Sequence, residues 1–147
     1  MIAIASDHGG YRLKELIKKH LEERGDEYRD FGCHGLDSCD YPDYAGPAAR
    51  AVASGECEKG IVVCTTGIGV SIIANKVKGI RCALCTDVTC ARLTREHNDA
   101  NVLAIGAGVI GENVAMDVVD TFLDTAFSGL EKHARRIGKI AAMESHE

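Results

Sequence analysis

A cysteine stands where a buried strand is predicted to end and a glycine-containing turn begins. The segment "IVVCTTGIGVS", residues 61–71, is apolar up to Cys64 and continues with Thr65 and Thr66. A helix is predicted to follow, so unpaired backbone N–H groups and the positive end of its dipole lie near the sulfur. This setting favours the thiolate, which accepts a proton or attacks an electrophile, and the loop suits an anion or a developing oxyanion. The alternative is packing, because free cysteines are among the most buried residues.

The stretch "SDHGG", residues 6–10, offers a second set of polar groups after a strand. Asp7 suits the cap of a following helix, which is a common structural use of aspartate. His8 lies at a strand end beside a helix start, a position that binds anions. A histidine there donates a hydrogen bond to a phosphate or to a sugar hydroxyl.

Two further candidates lie in the second half of the chain. In "REHNDAN", residues 95–101, His97 and Asn98 end a predicted helix, where a histidine often only complements the helix dipole. In "KHARR", residues 132–136, a basic cluster stands in an acidic protein. A solvated helix face explains such a cluster, but arginine forks are also what phosphate recognition uses.

Short β-rich runs that alternate with amphipathic segments must position these groups. The 147 residues fit one domain, 1–147, with one core. The alternation predicts an α/β fold, a three-layer, doubly wound, Rossmann-like sheet of five mostly parallel strands with helices on both faces. The predicted strands are 2–6, 27–31, 60–64, 80–85 and 102–105; the predicted helices are 11–24, 45–53, 70–76, 88–96, 114–123 and one from about 133, with a long loop at 32–44.

The predicted topology divides the candidates between two edges of the sheet. Cys64 and Asp7 follow strands, so they belong at the carboxyl edge, where ligands bind in open α/β sheets. His97 precedes a strand and belongs at the opposite edge. If His97 is functional, a two-fold dimer that shares its active sites is the natural arrangement.

Composition excludes several function classes. The net charge of −5 and the pI of about 5.7 disfavour a nucleic-acid-binding surface. There is no apolar run of the roughly 18 residues that a membrane span needs, nor a secretory signal pattern, so we expect a cytoplasmic protein without membrane association. The seven cysteines are then expected as thiols. Cys82 and Cys85 have C-x-x-C spacing, but alternate faces of a strand and the lack of a second pair disfavour zinc or redox use.

Together these stretches resemble the ribose-5-phosphate isomerase B family, which includes galactose-6-phosphate and allose-6-phosphate isomerases. The similarity covers nearly the whole chain. It runs through "IAIASDHGGYRLK", "DYPDYA", "GIVVCTTGIGVSIIANK", "GIRCAL", "REHNDANVLAIG" and "RRIGKI". The resemblance implies an aldose–ketose isomerase that uses no metal or cofactor and acts on a sugar phosphate through a cis-enediol.

The resemblance also implies a role for each candidate residue. Cys64 is the base that moves a proton between C1 and C2, His97 helps to open the sugar ring, and Thr66 assists in binding the enediolate. The site lies between two subunits of a homodimer, with a tetramer left open, and the C-terminal helix at about 133–145 is expected to pack on the partner. The residues implied to contact substrate are Asp7, His8, Tyr41, Thr65, Gly67, Ile68, Gly69, Asn98, Lys132 and Arg136.

Three positions differ from the family pattern. Thr65 replaces a glycine, Gly108 stands where many members have an arginine, and Lys132 stands where an arginine contacts phosphate, although Arg135 lies nearby. These differences leave the sugar open. Ribose 5-phosphate is the leading substrate, and the alternatives are allose 6-phosphate, galactose 6-phosphate or a tetrose phosphate. A non-catalytic sugar-phosphate-binding protein is a further alternative.

Overall fold

The fold is an α/β sandwich around a single parallel sheet. A computed structural model describes residues 1–145. The strands are β1 (Ile2–Ser6), β2 (Tyr28–Asp30), β3 (Lys59–Cys64), β4 (Cys82–Leu84) and β5 (Val102–Gly106), in the order β2-β1-β3-β5-β4. The helices are α1 (Tyr11–Arg24), α2 (Pro42–Ala53), α3 (Ile68–Asn75), α4 (Val88–Asn98), α5 (Glu112–Asp124) and α6 (Glu131–Ser145). The predicted fold class is confirmed, and every strand pairing is parallel.

Alternate residues of the central strands supply two separate cores. On one face, Ile4 of β1 packs in a cluster with residues of α1 and α5, including Ile17 and Phe122. On the other face, Ala3 and Ala5 pack in a cluster with the small residues of α2 and α3. Strands that are buried on both sides are continuous apolar runs, and this explains why the first, third and fifth strands were evident from sequence.

A buried lysine holds the segment after β2 in place. Lys14 of α1 is fully buried, and its Nζ lies 2.7 and 2.8 Å from the Asp30 carboxylate oxygens and 2.7 Å from the Cys33 carbonyl oxygen. Burial on its own would raise the pKa of Asp30, but hydrogen bonds from Lys14 and Lys18 hold that pKa below its usual value. This ion pair fixes the start of the loop that leads to α2.

Most element bounds differ from the predicted ones by one or two residues, and α2, α3 and β4 show the larger or more informative differences. Helix α2 begins at Pro42, within the predicted loop 32–44, because proline suits the first turn of a helix. Helix α3 begins at Ile68 and not at residue 70. Strand β4 is shorter than 80–85, since the Arg81 backbone N–H donates to the Asn101 side chain and Ile80 closes a turn onto Val77.

Helix α6 lies outside the two cores. Of its described residues only His133 is buried; the helix packs against α4, and the Gly79 backbone N–H donates to Glu144 Oε2 at 2.9 Å. No helix in the described range is both long and apolar enough to cross a membrane.

Candidate active site

The Cys64 thiol lies at the carboxyl edge of the sheet, at the end of β3. Its side chain is almost fully buried, and the backbone N–H of Gly67 donates to Sγ across 3.1 Å. Gly67 caps the N-terminus of α3. The sulfur therefore lies beside a helix start, where backbone N–H groups and the helix dipole favour a negative charge.

Gly67 is required by the geometry of this turn. Its φ is +78°, and a Cβ there would lie 2.9 Å from the Ile105 carbonyl carbon and 3.0 Å from the Gly106 nitrogen. The positive φ and the close backbone atoms each exclude a side chain at position 67. The neighbouring Thr66 and Ile68 are exposed, and Thr66 Oγ1 accepts the Ile68 N–H at 3.1 Å. The turn thus presents a hydroxyl and helix-start N–H groups close to the sulfur.

Thr65 fits between two glycines. A Cβ on Gly9 would collide with Thr65 Oγ1, and a Cβ on Gly108 would lie 3.0 Å from Thr65 Cγ2. The Gly108 N–H donates to the Thr65 carbonyl at 2.8 Å, so the loop after β5 is held against the Cys64 turn. Thr65 and Gly108, two positions where the resemblance implies other residues, are therefore in direct contact.

The turn after β1 and the start of α2 lie beside the Cys64 turn, and together these residues form the Cys64 group. Asp7 is buried and its Oδ1 accepts the Gly10 N–H at 3.1 Å, so it caps the short 3₁₀ turn His8–Gly10. Nδ1 of His8 accepts the Cys39 backbone N–H at 3.2 Å, which leaves Nε2 as the donor of the neutral ring. The Tyr41 ring packs over Gly69, where a Cβ would lie 2.7 Å from the ring carbon Cζ.

The remaining candidates form a second group at the C-terminal end of α4. The rings of His97 and His133 have their centroids 4.4 Å apart. Lys132 and Arg136 are near enough to His133 to contribute to lowering its pKa. Asn98 follows His97, and both line a cavity of about 340 Å³ between β4 and α4. Sequence reasoning missed His133, which looked like one member of a solvated basic cluster.

The two groups share no polar contact within the described residues of one chain. Between residues 1 and 145 no hydrogen bond or ion pair links the Cys64 group with the His97 group. Helix α4 runs from the carboxyl edge back towards the amino edge, and the nine residue-to-residue steps from Val88 to His97 span about 14 Å. The predicted separation of Cys64 and His97 thus follows from the topology.

The C-x-x-C pair, Cys82 and Cys85, belongs to no metal-binding cluster among the described side chains. Burial raises the pKa of both Cys82 and Cys85 to about 12, which keeps them as thiols. Within the described range, no three His, Cys, Asp or Glu side chains cluster in a way that could hold a metal ion.

Open parallel α/β sheets bind small molecules beyond the carboxyl ends of their strands, and here that edge carries a thiol at a helix start, so the fold and site are those of a small-molecule-binding α/β protein. The model of the Ribose/Galactose Isomerase family matches residues 2–140. The chain is 46% identical over 143 residues to ribose-5-phosphate isomerase B of Escherichia coli strain K12, covering 97% of this chain and 95% of that protein. The chain therefore belongs to the ribose/galactose isomerase family.

Solved structures agree with this membership. The ribose-5-phosphate isomerase B of Clostridium thermocellum is 55% identical, with a TM-score of 0.97 over 99% of this chain and 97% of that one. The ribose-5-phosphate isomerase B of Mycoplasma genitalium, solved with bound ribulose-5-phosphate, is 39% identical, with a TM-score of 0.95 and coverage of 99% and 97%.

Proposed function

We propose that the protein is a type B ribose-5-phosphate isomerase, which interconverts ribose 5-phosphate and ribulose 5-phosphate through a cis-enediol. The observation that carries the proposal is the Cys64 sulfur, 3.1 Å from the Gly67 nitrogen at the start of α3, in a chain of this family. The Mycoplasma genitalium relative with bound ribulose-5-phosphate supports the choice of sugar.

Cys64 acts as the base that moves a proton between C1 and C2. A proton next to a carbonyl is weakly acidic, so the oxyanion that forms must be stabilised where it appears. Thr66 and the backbone of Gly67 and Gly69 supply the donors. Removal of one such donor typically slows a reaction about 10²–10³-fold. Asp7, His8, Tyr41, Thr65 and Ile68 surround the sugar in this proposal.

The other half of the site comes from a second copy of the chain. His97 opens the sugar ring, Asn98 contacts substrate, and Lys132 and Arg136 bind the phosphate. An isolated helix of the length of α6 is marginal in water, and α6 buries only His133 while Met143 is 69% exposed. Packing of α6 on a partner would cover its exposed apolar side chains, such as Met143. A homodimer, a cytoplasmic location and chemistry without a metal or cofactor are parts of the same proposal.

A substrate panel in D₂O tests the chemistry. The protein is incubated with four- to six-carbon aldose phosphates, and NMR follows ketose formation and deuterium uptake. We expect ribose 5-phosphate to turn over far faster than the others, and Cys64→Ala to abolish both signals. Preference for a tetrose or hexose phosphate would refute the choice of sugar. Binding without exchange would refute catalysis altogether.

Mixing two inactive variants tests the shared site. Cys64→Ala and His97→Ala each damage a different half of the site. If subunits reassort freely, half of the dimers are hybrids and each hybrid has one intact site. We therefore expect roughly one quarter of the wild-type activity. Hybrids that demonstrably form and yet recover no activity would place the two residues in one chain.

A further inference from the structure

His133 is the one buried residue in the described part of α6, and it faces the end of α4. His133 is only 7% exposed to solvent. Its ring centroid lies 4.4 Å from that of His97, with 36° between the ring planes. Offset aromatic pairs at this separation are attractive. The His133 ring therefore limits the orientations that the His97 ring can adopt.

The His133 ring is itself held by a hydrogen bond to Ser128. Its Nδ1 lies 2.7 Å from Ser128 Oγ. Because Ser128 Oγ already accepts the Leu130 N–H at 3.2 Å, the hydroxyl proton is available for Nδ1. The Ser128 backbone N–H donates to the Glu96 carbonyl at 3.1 Å, in the last turn of α4. A closed set of contacts thus runs from α4 through Ser128 and His133 back to His97.

Burial and the neighbouring positive charges favour the neutral form of His133. Burial lowers the pKa of His133 most, and His97 and the basic side chains Lys132 and Arg136 lower it further, while Glu96 opposes them. Two adjacent imidazoles do not readily carry a proton each. A neutral His133 is therefore compatible with the packing of its ring against that of His97.

We propose that His133 is a positioning residue that orients the His97 imidazole for opening of the sugar ring. The inference rests on the proposed function, in which His97 delivers a proton to the ring oxygen. Displacement of a reacting group by about 1 Å can cost about 10²-fold in rate. A ring packed on one face of His97 and tied by Ser128 to the helix that carries His97 prevents such displacement.

Two NMR rates separate ring opening from proton transfer. Ribulose 5-phosphate cannot close into a five-membered ring, because its C5 oxygen carries the phosphate. Exchange of its C1 hydrogen with D₂O therefore reports on the Cys64 chemistry alone. Conversion of ribose 5-phosphate, which is mostly cyclic, requires ring opening as well. Both rates are measured at saturating substrate, so that weaker phosphate binding does not enter.

The variants are His133→Ala, His133→Phe and Ser128→Ala, with His97→Ala as the reference. We expect His133→Ala to slow conversion roughly tenfold or more relative to exchange, with the same signature as His97→Ala. His133→Phe restores a ring and should recover part of the loss. Ser128→Ala, which removes only the tie to His133, should show a smaller effect in the same direction. His20→Ala is the matched control, because His20 also has a side-chain oxygen partner, Asp120 Oδ1 at 2.6 Å.

Equal loss of both rates in His133→Ala, or loss of neither, would overturn the positioning role. Circular dichroism establishes that each variant is folded. If His133→Ala does not fold, unchanged rate ratios in Ser128→Ala and His133→Phe would overturn it instead. Absence of both rates in the wild-type protein would overturn the proposed function, and the positioning role with it.

Discussion

Substitution of Gly69 by alanine should displace Tyr41 without weakening the fold. A Cβ at this position would lie 2.7 and 2.8 Å from the Cζ and Cε1 atoms of Tyr41, closer than packed atoms approach. Tyr41 is 38% exposed, so its ring can rotate away into solvent. Gly69 lies in the first turn of α3 and its φ is not positive, so alanine suits the backbone.

The two effects of Gly69→Ala have opposite signs. Alanine is favoured over glycine in a helix by up to about 1 kcal/mol, so the free energy of unfolding should stay level or rise. In the proposed site Tyr41 lies against the sugar, and loss of one hydrogen bond from its hydroxyl would be worth about 0.5–1.5 kcal/mol, or about 2- to 12-fold in kcat/KM. Ribose 5-phosphate kinetics and urea unfolding measure the two quantities on the same preparation.

Two comparisons make this test sharp. Gly46→Ala in α2 is the matched control, because a Cβ there would meet only Ile73 at 4.0 Å, and activity should not change. Tyr41→Phe should lose activity to a similar extent, and the double variant should lose little more than either single one. Unchanged kcat/KM in Gly69→Ala, or fully additive losses in the double variant, would refute the contact argument.

Three further predictions concern stability. Gly67→Ala should cost more than Gly55→Ala, because both have positive φ, +78° and +84°, but only Gly67 is also crowded by backbone atoms. Urea unfolding should show roughly 1–2 kcal/mol for Gly55→Ala and clearly more for Gly67→Ala. Lys14→Met should lower the free energy of unfolding by about 1–3 kcal/mol, since Asp30 loses a buried charged partner; an unchanged urea midpoint would contradict this. Because the pKa of His133 is below its ordinary 6.5, the unfolded chain binds that proton more readily, and stability should fall as the pH drops through and below 6.5. His133→Ala should lose less stability than wild type between neutral pH and the mildly acidic range; equal losses in urea unfolding would contradict the assignment.

The sequence predicted most elements because local pattern and tertiary packing agree there. The helix predicted at 11–24 is α1, Tyr11–Arg24, where apolar residues recur at helical spacing and Gly25 ends it in the left-handed conformation. The strand predicted at 2–6 is β1, whose residues are all buried. The predicted bounds were wrong where a single residue sets the start of a helix, as Pro42 does for α2. They were also wrong for β4, a short edge strand whose hydrogen-bonded neighbour is β5.

The candidate site was only partly accessible to sequence reasoning. Cys64, Asp7 and His8 follow strand ends, so the general rule for parallel sheets indicates them without any other information. The contact of Thr65 with Gly9 and Gly108 joins three segments that are distant in the sequence, and no local sequence pattern predicts it. The burial of His133 depends on how the loop at Ser128 returns to α4, which a cluster of basic residues does not reveal.

The direction of α4 has a consequence for how the protein behaves on dilution. If one chain supplies the thiol and another the imidazole, a solitary folded chain carries every reactive group and yet is inert. Specific activity would then drop with falling protein concentration, and the dilution midpoint would report the dissociation constant of the assembly. Enzyme output in a cell would accordingly scale more steeply than linearly with expression near that midpoint.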